Sequence, residues 1–597
     1  MHRCSFCAAG DRRVNVARFN TDILVLGSGG AGLFAALHAK QADPDLRLTI
    51  AVKGLLGKSG CTRMVQGGYN VALDPNDSVQ RHFMDTIVGG QWLPRQDLAW
   101  RLCETAIERV RELENELGCF FDRNRDGSLH QKAFAGQSFD RTVHKGDLTG
   151  IEIINRLMER VWSLGVHQLE EHRVVELVPA ADGSGISGAL LIDIRSGSYK
   201  YVQAKAVLLG TGAGPSMYRY HTPSGDKTCD GLAIALRYGL NLRDMEMVQF
   251  HPTGLLAGAG TRMTGTILEE GLRGAGGYLL NAAGERFMDN YHSAGERATR
   301  DIVSRSMYRE MREQRATAQG GLYIEMAHLG ADNVTRQFPG MVKRCEDCGF
   351  DLAGGRVEVV PTAHYMMGGV EFELDASTAS PGLYAAGEDC GGVHGANRLG
   401  GNGVANSTVY GGIAGDAMAR YVSANPRSRD PDLAVIESGI ARAERPFSQP
   451  SGDLNAAREA LGNEMWDHVG ILRNADGLSQ AQTTLAVQRR ALHGIGLLNH
   501  DRDFNLSWHE WINLDNLLTV SDSITAAALA RKDSRGAHFR EDCPQRGDLD
   551  ASSYTRVRLV ADKLVVESVP VSFDIVKPGE SLIDDEAGAP QHWSEHD

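Results

Sequence analysis

The segment His394-Gly-Ala-Asn-Arg-Leu-Gly-Gly-Asn402 sets one arginine, Arg398, among small residues. Gly395, Ala396, Gly400 and Gly401 let the backbone press close to a flat ligand. Arg398 offers a rigid fork of donors that fits a carboxylate. Just upstream, Gly382-Leu-Tyr-Ala-Ala-Gly-Glu388 reads as an apolar strand ending in glycine and an acid. This combination suits a buried cofactor meeting an anionic substrate.

Elements must hold that pair in place. Thr21-Asp-Ile-Leu-Val-Leu26 reads as a strand, Gly27-Ser-Gly-Gly-Ala-Gly32 as a turn, Leu33–Lys40 as a helix and Leu46–Val52 as the next strand. This is a βαβ unit with a G-x-G-x-x-G turn, whose helix start would hold a pyrophosphate. Lys53 replaces the acid expected after the second strand of a nicotinamide-nucleotide site. Ala204–Gly210 reads as a further sheet strand, followed by Thr211-Gly212. Residues 251–355 then interrupt the pattern, which resumes after Val359 and runs through the helix after Gly403. The simplest reading is an inserted domain.

Leu102–Leu117 has amphipathic helical spacing, and Ala456–Arg473, Leu478–His493 and Leu514–Ala530 are candidate helices. Tyr554–Val566 reads as a hairpin turning at Ala561-Asp-Lys563. The acidic tail after Asp584 reads as a frayed terminus.

Composition excludes several classes. The 597 residues are enough for about four units of roughly 150 residues. A net charge of -14 disfavours nucleic-acid binding. No apolar run reaches the roughly 18 residues of a membrane span, and the longest candidate, 23–38, is broken by glycines. Met1–Ala17 is basic without an apolar core, and no such core follows Arg12-Arg13, so the chain reads as cytoplasmic. Ten cysteines fit a reducing compartment. Cys4-x-x-Cys7 and Cys345-x-x-Cys348 have zinc-like spacing, but no histidine pattern supports them, so no metal site is expected. No cysteine ladder for an iron–sulfur cluster exists, so any cluster belongs to another chain.

In order, the motifs resemble the flavoprotein subunit of succinate dehydrogenase and fumarate reductase, a family with L-aspartate oxidase among its relatives. The matching pieces begin with Gly27–Gly32, Gln66-Gly-Gly68, Phe134-Ala-Gly-Gln-Ser138, Arg141-Thr142 with Asp147-x-Thr-Gly150, and Gln249-Phe-His-Pro-Thr-Gly254. Next come Glu270-Gly-Leu-Arg-Gly274, Gly284-Glu-Arg-Phe-Met288, Arg300-Asp-Ile-Val303 and His364-Tyr-Met-Met-Gly-Gly369. Gly387-Glu388, His394–Asn402, Asp467-His-Val-Gly470 and Ser534–Asp542 complete the set, the last two read as structural or interfacial.

The resemblance implies an α/β fold: a Rossmann-like FAD-binding domain (18–250 and 356–430) with an inserted α+β capping domain (251–355). A helical domain (431–545) and a small β-containing C-terminal domain (546–597) would follow, with residues 1–17 as an N-terminal extension. The implied cofactor is FAD, held at Gly27, Gly29, Gly30, Gly32, Lys53, Gln66, Gly67, Asp230, Glu388 and Gly403. The implied reaction interconverts succinate and fumarate, or a close dicarboxylate, by hydride transfer at the flavin. Arg300 matches the family's general acid, with Glu270 and Arg273 as its relay. An arginine can serve only if neighbours relay the proton and lower its pKa. His251 would meet one substrate carboxylate, and His364 with Arg398 the other. The implied partner is an iron–sulfur subunit, which would leave the chain cytoplasmic and peripheral to the inner membrane.

Three positions depart from or decide the pattern. Cys61 falls where membrane-bound succinate dehydrogenases carry the histidine joined to FAD, so a non-covalent flavin is expected. Loss of that bond tilts the enzyme toward fumarate reduction or an oxidase. Phe134 stands where L-aspartate oxidase has a glutamate for the substrate ammonium, which argues against an amino-acid substrate. Glu269 stands where the family usually has threonine beside the distal carboxylate. Either Glu269 is neutral, or the substrate carries a donor at that end. The alternatives are an L-aspartate oxidase-like enzyme and a catalytically silent flavin-binding scaffold.

Overall fold

A computed structural model describes residues 3–7, 13–258 and 261–583. A five-stranded parallel sheet forms the base of the site. Its order is Leu383–Ala385, Ala206–Leu209, Ile23–Leu26, Leu48–Val52 and His167–Glu170. Ile23 to Leu26 are all buried, as a parallel strand covered on both faces requires. The helix Gly30–Ala42 leaves the Gly27–Gly29 turn and packs along the helix Asn402–Ala424. The βαβ unit and the Ala204–Gly210 strand stand where their patterns place them.

A second sheet orders Arg3–Cys7, Arg13–Asn20, Tyr199–Gln203, Ile186–Asp193 and His172–Pro179. The stretch read as an N-terminal extension thus supplies strands to the body. The hairpin Ser553–Val560 and Lys563–Pro570 joins Leu242–Arg243 in a further sheet. Its two turn residues, Ala561 (φ 47) and Asp562 (φ 60), are both left-handed, as a tight hairpin twist demands.

Helix starts are where the sequence reading fell short. The helix expected from Leu514 begins at Leu506, because the Asn505 side chain accepts from the Trp508 amide at 3.0 Å. Similarly, Gln96–Asn115 starts a turn and a half before Leu102. The helix expected over Ala456–Arg473 spans Leu454–His468 and stops short of Gly470.

Between Leu255 and Val359 the chain builds its own apolar core, including Leu279, Met307, Ile324 and Met341. Two long antiparallel strands, Val248–Leu255 and Arg356–Met366, carry the chain into and out of this region. Register shifts flank Pro252, which has no amide to give the ladder. The Cys345 side chain lies in this second core, and Cys345 and Cys348 are free thiols. The side chains of Cys4 and Cys7 lie outside the described residues, as does the tail after Asp584. Among the described residues there is no metal-binding cluster, and no helix is long and apolar enough to cross a membrane.

Candidate active site

Three helix starts and the two long strands converge on one cavity of about 500 Å³. The helices Gly30–Ala42, Arg300–Arg312 and Asn402–Ala424 all expose first-turn residues there, so their positive ends suit anionic groups. The paired strands deliver His251 from one side and His364 and Tyr365 from the other; Gln249, on the first strand, does not line the cavity.

Arg300 opens its helix, where a cation faces the positive end of the dipole. Glu270 offsets this. Arg300 Nη2 donates to Glu270 Oε2 at 2.6 Å and Nε to the same oxygen at 3.1 Å. The other Glu270 oxygen accepts from Arg273 Nη2 at 3.0 Å. Burial alone would raise the Glu270 carboxyl, but Arg300 and Arg273 outweigh it and hold it below its ordinary range. Arg273 does not line the cavity; it stands behind Glu270 and also donates to the Glu296 carbonyl at 2.6 Å.

Arg398 lies across the Tyr365 ring, with its guanidinium carbon 4.3 Å from the ring centre. Burial, then repulsion from Arg300, lowers its pKa to about 10. Its Nε is buried and has no partner within the protein. The Arg398 loop is fixed from outside: Gly400 O accepts from Asn70 Nδ2 at 2.6 Å and from Gln137 Nε2 at 2.9 Å. The Ala537 amide donates to Ala396 O at 2.9 Å, so the Ser534–Asp542 motif braces this loop.

His251 Nδ1 accepts from the Thr253 amide at 3.3 Å, which leaves Nε2 as the proton-bearing nitrogen. His364 Nδ1 pairs with Thr222 Oγ1 at 2.8 Å. The rings stand edge to face, centres 5.5 Å apart. Burial, reinforced by the nearby arginines, pushes both imidazoles well below their ordinary pKa. Both are therefore neutral donors or acceptors at pH 7.

Glu269 lines the cavity and forms an ion pair with Lys132. Phe134 forms a wall beside Gly67. Its loop is anchored where Asp85 accepts from the Ser138 amide at 2.9 Å and pairs with buried Arg141.

The residues present fit FAD. Gly27 has φ +108, and a Cβ there would lie 2.2 Å from the Gly210 carbonyl; one on Gly32 would lie 2.1 Å from the Gly27 carbonyl. Only glycines permit this cradle. Gly29, Gly30, Gln66, Gly67 and Gly403 line the large cavity. Gly27, Lys53 and Asp230 line a smaller one, which shares Gly29, Thr211, Gly212 and Lys227 with it, so one elongated ligand could run through both. Glu388 faces the large cavity; burial raises its carboxyl to about 7 although the Met366 amide donates to it at 3.0 Å. Lys53 spends its donors on Asp230 at 3.1 Å, Thr228 at 3.0 Å and Asn513 at 2.8 Å. Asp230 also pairs with Arg173 at 2.7 Å, so both residues brace the nucleotide end as a buried ion network.

The structure therefore gathers the expected catalytic, substrate and cofactor residues around connected cavities. Sequence reading missed four others: Gln249, which bridges the arginines; Lys132, the partner of Glu269; Thr222 behind His364; and Arg344. Gln66, with its amide oriented by its neighbours, accepts from Arg344, which also donates to Ile267 O at 2.8 Å. Gln249 had a signal, since it opens the Gln-Phe-His-Pro-Thr-Gly motif. Lys132 had none, because 137 residues separate it from Glu269.

A glycine-cradled nucleotide site opening onto a cationic cavity defines a flavin-dependent oxidoreductase. Residues 22–404 match the FAD binding domain model, and residues 458–582 match the fumarate reductase flavoprotein C-terminal model. The 8-methylmenaquinol:fumarate reductase flavoprotein of Wolinella succinogenes is 35% identical over 556 residues, covering 90% of this chain and 88% of that protein. L-aspartate oxidase of Streptomyces coelicolor is 35% identical over 551 residues, covering 91% and 92%. A solved Escherichia coli quinol fumarate reductase flavoprotein superposes with a TM-score of 0.89 at 30% identity, covering 95% of this chain and 99% of that one. The chain belongs to the fumarate reductase and succinate dehydrogenase flavoprotein family, and it is an FAD-dependent oxidoreductase of that family.

Proposed function

We propose that the protein reduces fumarate, or a close unsaturated dicarboxylate, to its saturated form, and can run the reverse reaction. The carrying observation is that Arg300 and Arg398 face one cavity while sharing a single protein acceptor, Gln249 Oε1. When bound, FAD supplies the hydride for one alkene carbon. Arg398 and His364 bind one carboxylate, and His251 donates to the other. The Arg300 guanidinium holds the proton delivered to the second alkene carbon, and Glu270 with Arg273 returns a proton to it.

Cys61 lines the cavity, but burial and then Glu388 push its thiol up to about 12. A protonated thiol is a poor nucleophile, which supports a non-covalent flavin. The region 251–355 acts as a cap that excludes water over the substrate. An iron–sulfur subunit exchanges electrons with the flavin and brings the chain to the inner membrane. Glu269 could instead greet a substrate ammonium; its pairing with Lys132 and the neighbouring Phe134 favour the dicarboxylate.

The test is Arg300→Ala with a reduced low-potential dye as donor. Loss of the general acid is expected to lower fumarate kcat by about 10²–10⁴-fold. An unchanged rate would remove Arg300 from the chemistry. Turnover of L-aspartate without fumarate turnover would establish the oxidase instead.

A further inference from the structure

The Glu269 carboxylate lies in a cavity that must accept a dianion, next in sequence to Glu270. Glu270 is already matched by Arg273 and Arg300. Among the described residues, Glu269 has one ion-pair partner, Lys132. Lys132 sits on the short strand Gln131–Lys132, opposite Thr142, and its ammonium lies 5.7 Å from the centre of the Phe134 ring. It does not line the cavity, so it acts on the substrate through Glu269. Glu269 is buried, with a relative exposure of 5%, where an unmatched carboxylate would repel a substrate carboxylate with little screening.

Resting on the reading of the site as a dicarboxylate site, we propose that Lys132 is a specificity-determining positioning residue: its ion pair with Glu269 lets a carboxylate side chain stand in a dicarboxylate pocket. The pair does the work of an uncharged residue at position 269. Its substrate is therefore an unsaturated dicarboxylate without an ammonium group. Breaking the pair turns the same pocket toward substrates carrying a positive group at that end, because Glu269 then seeks a new cation.

The test uses the FAD-loaded protein and four forms: wild type, Lys132→Met, Glu269→Thr and the double variant. Fumarate reduction gives kcat and KM, and a non-reacting saturated dicarboxylate gives a Kd through the flavin absorbance. Lys132→Met is expected to raise KM and Kd about tenfold or more, with kcat within about twofold, since binding of substrate and transition state weaken together. The double variant is expected to return both constants to those of Glu269→Thr. A merely structural lysine would not be rescued by removing Glu269.

Unchanged constants in Lys132→Met, or a loss of about tenfold on removing Lys132 from the Glu269→Thr background, overturn the proposal. The second comparison stands even if Lys132→Met alone does not fold. A wild-type protein inert toward fumarate overturns the functional reading itself, and this inference with it.

Discussion

Arg300 and Arg398 donate to the same oxygen, Gln249 Oε1, at 3.0 and 3.1 Å. The Gln249 amide cannot turn, because its nitrogen donates to Asn397 Oδ1 at 2.9 Å and to Arg398 O at 2.7 Å. Two like charges thus share one neutral acceptor, while the Glu270 carboxylate also pairs with Arg300 and the Leu399 carbonyl also accepts from Arg398. Arg300 and Arg398, the proposed acid and carboxylate anchor, are spaced by a residue from a third element.

Gln249→Leu removes that acceptor while keeping similar bulk. Hydrogen bonds to charged groups contribute about 1.5–3 kcal/mol each. With two lost, fumarate kcat/KM is expected to fall about 10²–10⁴-fold while the protein keeps its flavin. Steady-state kinetics beside a flavin absorbance spectrum check this. A variant with wild-type kcat/KM would show that the arginines need no shared brace.

Glu388 should make the flavin-free protein sensitive to pH. Its carboxyl is raised from 4.5 to about 7. A raised carboxyl stabilises the fold below its unfolded pKa, and that stability is lost as pH rises through the folded value. The window is therefore about pH 4.5 to 7. The contribution is at most about 3 kcal/mol, because cavity water solvates part of the carboxylate. Denaturant unfolding of wild type against Glu388→Gln should show the difference between them changing across that window; parallel curves would remove Glu388 as the cause.

Acid precipitation should strip all yellow colour from the protein, since the Cys61 thiol is held protonated. Colour remaining in the washed pellet would reveal a covalent bond.

Lys53→Met should destabilise the nucleotide end. Removing one partner of a buried ion pair costs about 3–5 kcal/mol. Asp230 keeps Arg173, which places the loss near the lower figure. Thermal unfolding measures it, and flavin titration should show weaker binding. A Tm within a degree of wild type would mean the Lys53 contacts contribute nothing.

The sequence by itself determined the βαβ unit around Gly27–Gly32 and the FAD class, and its motifs singled out Arg300, Glu270, Arg273, His251, His364 and Arg398 as candidates. Those features are local: a glycine spacing, a strand's apolar run, a motif of a few residues. Only the tertiary structure decided what lies between them. Gln249 became a bridge because its strand, paired with Arg356–Met366, packs against the helix that Arg300 opens. Glu269 pairs with Lys132 across 137 residues, a partner that no local pattern in the sequence suggests. Electrostatic partners form through space, and a buried ion pair leaves no periodicity along the chain by which to find it.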